Sequence, residues 1–277
     1  MDDLRTQQKG KLLEVKDLPT LPEVLEEVNR LVEDPSSSTE QIARVISRDQ
    51  VLSAKVLKMV NSPIYGFPRR IGTIQHALVL LGFNVVRGLI IGTSVFDAMN
   101  KSMSGLWEHS LACAVACTRI AQKLGKRDPE EYSLGGLLHD LGKVVAALQL
   151  PELKDQIDTI AKEKNITYLQ AEKEVLGFGH DRINAWIADH WNLPVRLKEA
   201  LAYHHRPLSA EFYPDMAQIV HLANFLARVF EIGYSGDDQV SYLQEGVLEA
   251  LGLNLAGLDE LMSELESDFM DLSGFSS

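Results

Sequence analysis

Cysteine is scarce in this chain, with only Cys113 and Cys117 among 277 residues. They stand four apart in an Ala-rich run that reads as helix, and consecutive turns of one helix offer poor geometry for a disulfide. Two thiols alone define no metal site, so both read as small buried hydrophobes, a usage that fits a reducing cytoplasm. Strand alternation is also missing, which leaves helix as the expected secondary structure. Nor is there a long unbroken apolar run, because residues 77–81 and 85–95 are interrupted by Gly82, Asn84, Arg87 and Gly88. These stretches read as core helices, and no segment resembles a signal peptide or a membrane span. The expectation is a cytoplasmic protein with no membrane partner.

Positive charge is short as well, with 27 Lys and Arg against 39 Asp and Glu and a formal charge of -12. The shortage is local. From Val229 to Ser277 there are eleven acidic residues and no Lys or Arg, whereas residues 1–228 carry a net charge of -1. Binding a polyanion needs an excess or a stripe of Lys and Arg, so nucleic acid is excluded as a partner. Arg69-Arg70 is too short a basic run to alter that. A nearly neutral body places no such bar on a small phosphorylated ligand.

What the chain has in abundance is apolar residues at helical spacing, 45% of its side chains being hydrophobic. That share is enough to offset the conformational entropy of folding. Val24, Leu25, Val28, Leu31 and Val32 form one stripe, Asp34-Pro35-Ser36 breaks it, and Ser38 or Thr39 can cap a second helix over 40–46. A third spans 51–60. Pro63, Gly66 and Pro68 then make a compact loop, with Asn61-Ser62-Pro63 as a capping and turn device, and helix resumes over 73–81 and 84–95.

From Trp107 onward lies every histidine except His76. Helices are expected over 108–124, 129–149, 153–163, 167–176, 180–191, 195–203 and 214–230. The tail from Val240 is expected to be helical, with Leu258, Leu261, Met262, Leu265 and Phe269 on one face and acids on the other. Such a face docks on its own domain or binds a partner. The fold class is therefore all-α, in three parts: an N-terminal helical bundle over 1–105, a histidine-rich core over 106–232 and an acidic helical tail over 233–277.

Gly136-Leu137-Leu138-His139-Asp140-Leu141-Gly142-Lys143 is the most specific motif. An adjacent imidazole and carboxylate suit a divalent cation, and Leu137 and Leu138 bury the turn that carries them. His109 lies thirty residues before His139, His180 forty-one after it, and His204-His205 and Asn224 follow. Inward-facing side chains from several helices can assemble one such centre. By contrast, His190 is off register from His180 and reads as a surface residue. His221 reads as a core histidine bonded to a backbone carbonyl, and His76 as a surface or interdomain residue. Trp107, Trp186 and Trp191 read as core.

This ordered set resembles the HD superfamily of metal-dependent phosphohydrolases, and the extra His and the His-His pair resemble its HD-GYP branch. The resemblance implies His109, His139, Asp140, His180, His204 and His205 as ligands of a divalent metal, Fe, Mn, Zn or Ni, in a dinuclear site. Lys143 matches the phosphate-facing lysine, and Asp140 and Lys143 would be catalytic in an active enzyme. Two departures stand out. Asn224 occupies the position of the distal acid, and Arg206-Pro207-Leu208 lacks the Asp-Gly and Gly-Tyr-Pro elements of HD-GYP phosphodiesterases.

Leu18-Pro19-Thr20-Leu21-Pro22, Ile46-Ser47-Arg48-Asp49-Gln50, Val60-Asn61-Ser62-Pro63 and the segment from Ile74 to Gly82 resemble the HDOD domain over roughly residues 18–230. That resemblance implies a bacterial regulatory module with a signalling protein as partner. Three functions are open at this stage: a non-catalytic signalling module retaining a metal site, a metal-dependent phosphohydrolase, and a helical protein whose histidines are separately satisfied.

Overall fold

The computed structural model describes residues 23–273, apart from positions 35, 239 and 241; the Leu18-Pro22 motif lies outside the described residues. Among the described residues there is no strand. The N-terminal helices are α1 (Glu23–Glu33), α2 (Thr39–Ile46), α3 (Gln50–Val60) and α4 (Ile74–Ser102). Ser38, not Thr39, caps α2, and its hydroxyl and the Gln41 amide form a reciprocal capping box. Asp49 caps α3 by accepting from the Leu52 N–H at 2.9 Å, and Thr73 caps α4. On α1 the apolar stripe is narrower than expected. Val28 is fully buried, whereas Val32, near the end of a helix that packs on α2, is exposed.

Asn61 closes the loop after α3, its side-chain amide donating to the Leu57 and Ile71 carbonyls while Oδ1 accepts from the Ile71 N–H at 2.7 Å. Helix α4 breaks at Gly82, where φ is 77°, and continues beyond the expected end to Ser102. It is the bridge of the fold, packing on α2 and α3 and also on α6 (Pro129–Leu138) and α7 (Leu141–Gln149). Among the described residues, Ile74–Ser94 alone is long and apolar enough to cross a membrane. Of its apolar window, 67% is buried inside the fold, which is the behaviour of a core helix.

The centre of the molecule is α5 (Leu106–Lys123), packed between α6 and α12 (Pro214–Val229). Its Ala and Cys residues let both neighbours approach closely, and Leu111, Ala112, Cys113, Ala116, Cys117 and Ile120 are fully buried. Helices α8 (Pro151–Lys164), α9 (Tyr168–Leu176), α10 (His180–His190) and α11 (Val195–Tyr203) complete this region. Trp107 and Trp191 are buried, and Trp186 meets Phe178 edge-on at 5.0 Å.

The single helix expected over 129–149 is instead two, α6 and α7, joined at a corner made of His139 and Asp140. Apolar residues continue at helical spacing on both sides, so periodicity alone cannot reveal the turn. Two glycines make it possible: a Cβ on Gly136 would lie 2.5 Å from the Cys113 carbonyl oxygen, and one on Gly142 would lie 2.4 Å from that of His180. Helices α5 and α10 press on the corner from either side.

In the tail, residue 240 and residues 242–246 are not helical; α13 (Val247–Ala250) and α14 (Leu255–Ser273) follow. Leu261, Leu265 and Phe269 of α14 are buried against the body, with Leu258 and Met262 partly so. Arg119 of α5 forks onto Asp268 at 2.7 and 2.8 Å, and Lys123 reaches Glu260 and Glu264. The acidic face thus answers cations on α5. Apolar burial at about 1.5–3 kcal/mol per side chain outweighs exposed ion pairs at about 1 kcal/mol or less.

Candidate metal centre

The helices bring the ligand candidates to one place. His109 stands in the first turn of α5, His139 and Asp140 at the α6–α7 corner, His180 at the start of α10, His204 and His205 just after α11, and Asn224 on α12. The His139 ring lies 5.3 Å from that of His109 and 5.2 Å from that of His204. His205 is 4.1 Å from His204 and 4.8 Å from His180, ring centre to ring centre. His205 is partly exposed, and the other six candidates are buried.

Hydrogen bonds on one side of each ring decide what the other side offers. His139 Nδ1 donates to the Gly136 carbonyl at 2.7 Å, His204 Nδ1 to the Leu201 carbonyl at 3.0 Å, and His180 Nδ1 to Glu172 Oε2 at 2.6 Å. These acceptors cannot donate, so the proton resides on Nδ1 and Nε2 is left to face the interior. Metal-binding histidines are held in this way.

The inward-facing atoms form two groups: His180, His204 and His205, and His109, Cys113 and His139, the donor atoms of each lying within 4.8 Å of one another. Asp140 stands between them, Oδ1 3.2 Å from His180 Nε2 and Oδ2 3.3 Å from His139 Nε2. Although close, His139 Nε2 and Asp140 Oδ1 are buried without a hydrogen bond of acceptable geometry. Imidazole nitrogens bound to one cation at about 2.0–2.1 Å lie about 2.9 Å apart at a right angle and about 3.3 Å apart at a tetrahedral angle. His180 Nε2 is 2.9 Å from His205 Nε2 and 3.3 Å from His204 Nε2. The donor set and its spacing fit a divalent ion.

The electrostatics agree. Burial opposes ionisation of Asp140, yet His139 and Lys143 hold its carboxyl well below the usual range. Burial likewise opposes a charge on His180, but Glu172 and Asp140 raise it to about 9. Burial, then His139, lowers His109 to about 3, and burial with neighbouring imidazoles keeps His204 and His205 neutral. His109, His204 and His205 are thus held in the neutral form a cation requires of its ligands, whereas His180 favours its charged form beside Glu172 and Asp140 and would release that proton on binding a cation.

One expectation needs correction. Lys143 does not face open space for a phosphate; it is buried and donates to Asp140 Oδ2 at 2.9 Å and the Ser235 carbonyl at 2.8 Å. Cys113 is free and fully buried as expected, and its Sγ lies 3.5 Å from His109 Nε2. Burial, then Cys117, pushes its thiol well up. The remaining histidines behave as expected. His221 Nδ1 donates to the His204 carbonyl at 2.7 Å, and His76 and His190 are exposed. Asn224 Oδ1 is 3.1 Å from His109 Nε2, so the residue in place of the distal acid does stand at the centre.

Two supporting residues are absent from the sequence reading. Glu172 is fully buried and accepts from both the backbone N–H and Nδ1 of His180. Its only sequence signal is a charge on the face of α9 that also holds Tyr168, Ala171 and Leu176. Asn184 donates to the His139 and Leu201 carbonyls and accepts from the Gly142 N–H at 2.7 Å, tying the corner to α10 and α11. Residues 231–238 cover the His109 side, with the Tyr234 N–H on the Gly105 carbonyl and an Arg228–Asp237 ion pair at 3.3 Å. A cavity of about 230 Å³ remains there, lined by His109, Arg228, Ser235 and Asp237 among others.

An all-α core with a His, a His-Asp corner and further histidines converging from separate helices defines an HD-type domain, here preceded by a helical bundle. The HDOD domain matches residues 18–207, and the chain belongs to that family. An uncharacterised protein of Treponema pallidum is 28% identical over 223 residues, covering 78% of this chain and 43% of its own length. YuxH of Bacillus subtilis, also uncharacterised, is 32% identical over 146 residues, 49% of this chain and 34% of its own length. The chain thus spans less than half of these curated relatives. An HDOD domain protein of unknown function from Geobacter sulfurreducens has the same fold, with a TM-score of 0.75, 24% identity and coverage of 99% and 97% of the two chains. A Shewanella amazonensis protein, provisionally described as a phosphohydrolase, gives a TM-score of 0.70 at 26% identity over 96% of this chain and 98% of its own.

Proposed function

We propose that this chain is a bacterial, cytoplasmic HDOD regulatory module whose histidine core binds divalent metal, in a dinuclear arrangement, without turning over a phosphoester. The observation that carries the metal is the pair of buried atoms His139 Nε2 and Asp140 Oδ1, left without hydrogen bonds among imidazoles whose Nδ1 sides are already committed. His109, His139, Asp140, His180, His204 and His205 would hold it. When bound, Fe, Mn, Zn or Ni supplies a Lewis acid and lowers the pKa of a bound water.

The chain's own residues support binding more than turnover. Glu172 and the Gly136 and Leu201 carbonyls lock the rings, which favours a stable site. Lys143 spends its ammonium on Asp140 and on Ser235 in the covering segment, so it is not held out toward phosphate oxygens. Asn224 removes a negative charge that the family's distal acid provides. In this reading the output goes to a signalling protein partner.

A phosphohydrolase acting on a small phosphorylated ligand is the second reading. It is favoured by the cavity beside His109 and by the Shewanella relative. The test is metal-reconstituted protein with bis(p-nitrophenyl) phosphate. The proposal expects bound metal and no turnover above buffer containing the same metal. Hydrolysis that disappears in Asp140→Ala would instead establish the enzyme.

A further inference from the structure

We infer that Cys113 is a thiolate ligand of the metal centre, supplying from α5 the negative charge that Asn224 no longer supplies from α12. The inference rests on the metal-binding reading above and adds a ligand type to it. His109 and Cys113 stand four residues apart on one helix, which stacks their side chains on the same face. The Cys113 Sγ to His109 Nε2 distance is 3.5 Å. A cation about 2.3 Å from sulfur and about 2.0–2.1 Å from nitrogen, at a tetrahedral angle, spaces those atoms about 3.5 Å apart.

A second observation points into the same group. His139 Nε2 is buried without a hydrogen bond, and its ring meets that of His109 at 5.3 Å. Charge then makes the case for sulfur. Beside His109, His139 and Asn224, a divalent ion would meet one carboxylate, Asp140, already shared with Lys143 and with the His180 group. As the S–metal bond forms, the S–H bond breaks and its proton passes to water, leaving a thiolate that restores the missing charge. Thiolate ligation also directs the class of metal toward borderline ions such as Zn(II), Co(II) or Fe(II), and away from Mg(II) and Mn(II).

Cys117 is the internal control, because it lies one turn further along α5, is equally buried, and stands outside the donor group. The full chain, stripped by chelator and reloaded with Co(II), should show a near-ultraviolet thiolate-to-cobalt charge-transfer band beside the visible cobalt bands. The band should persist in Cys117→Ser and vanish in Cys113→Ser. Since the chain has only two cysteines, its persistence in Cys117→Ser assigns the sulfur even if Cys113→Ser fails to fold. Visible cobalt bands without the charge-transfer band, or its loss in Cys117→Ser, would overturn the inference and leave the metal-binding reading standing. No bound Co(II) would overturn both.

Discussion

His180, His204 and His205 meet through nitrogen atoms 2.9 and 3.3 Å apart, with Glu172 and the Leu201 carbonyl fixing two of the rings from behind. Around His109 and His139 the support is thinner. The Gly136 carbonyl holds His139, but His109 has a neutral amide at 3.1 Å where the family has an acid. The first group is preorganised by hydrogen bonds behind its candidate ligands, whereas the second has an amide at the distal position and, by the inference above, takes its added negative charge from Cys113. The contrast separates two ways a metal centre can be tuned, through ligand orientation and through ligand charge, within one buried cluster joined by Asp140.

The largest effect should come from the residue both groups share. Asp140→Ala removes the carboxylate from both and leaves Lys143 buried without its ion-pair partner. Metal content measured by elemental analysis should fall to background, and stability in urea should drop by about 3–5 kcal/mol. Metal retained at the wild-type level would erase the distinction between a bridging residue and its neighbours.

Glu172→Gln and Asn224→Asp probe the two groups separately. Loss of the carboxylate behind His180 should weaken metal binding by about 10–100-fold in competition with a chelator, the usual scale for a residue that orients a ligand. Asn224→Asp places a carboxylate beside His109 in addition to Cys113 and should tighten binding. If both variants bind metal as the wild type does, the asymmetry between the groups has no energetic content.

Smaller effects are expected away from the centre. Burial opposes the Asp215 charge, but hydrogen bonds from Tyr132 and Lys126 hold its carboxyl below the ordinary value. Its contribution to stability is therefore present above the unfolded-state pKa and is lost as pH falls through the folded value. Asp215→Asn should flatten the acid side of the stability profile, read by thermal melts, with metal content unchanged. Arg119→Ala, which removes the ion pairs to Asp268 and Glu264 of α14, should cost about 1 kcal/mol or less in urea and leave metal content alone.

Much of the fold was legible because core helices announce themselves by spacing and caps, as the Ser38 cap and the Gly82 break show. The convergence of the candidate residues was legible for a different reason, since histidines are rare and their order resembles a known series. Details that depend on what packs against a residue were not. The His139-Asp140 turn is set by α5 and α10 pressing on Gly136 and Gly142, and nothing in local periodicity records that. Glu172 reads as an ordinary helical acid until His180 is placed beside it. Lys143 reads as free until Ser235 arrives from ninety-two residues away. Cys113 reads as hydrophobic filler because its meaning lies in His109 one turn earlier and His139 on another helix.

The most direct measurement is anomalous scattering from crystals of metal-reconstituted protein, collected at the absorption edge of the loaded ion. The account predicts a strong peak within coordination distance of Asp140 and of Nε2 of His180 and His204. Crystals grown from metal-loaded protein that show no peak there, with His139 Nε2 and Asp140 Oδ1 satisfied instead by hydrogen bonds, would contradict it.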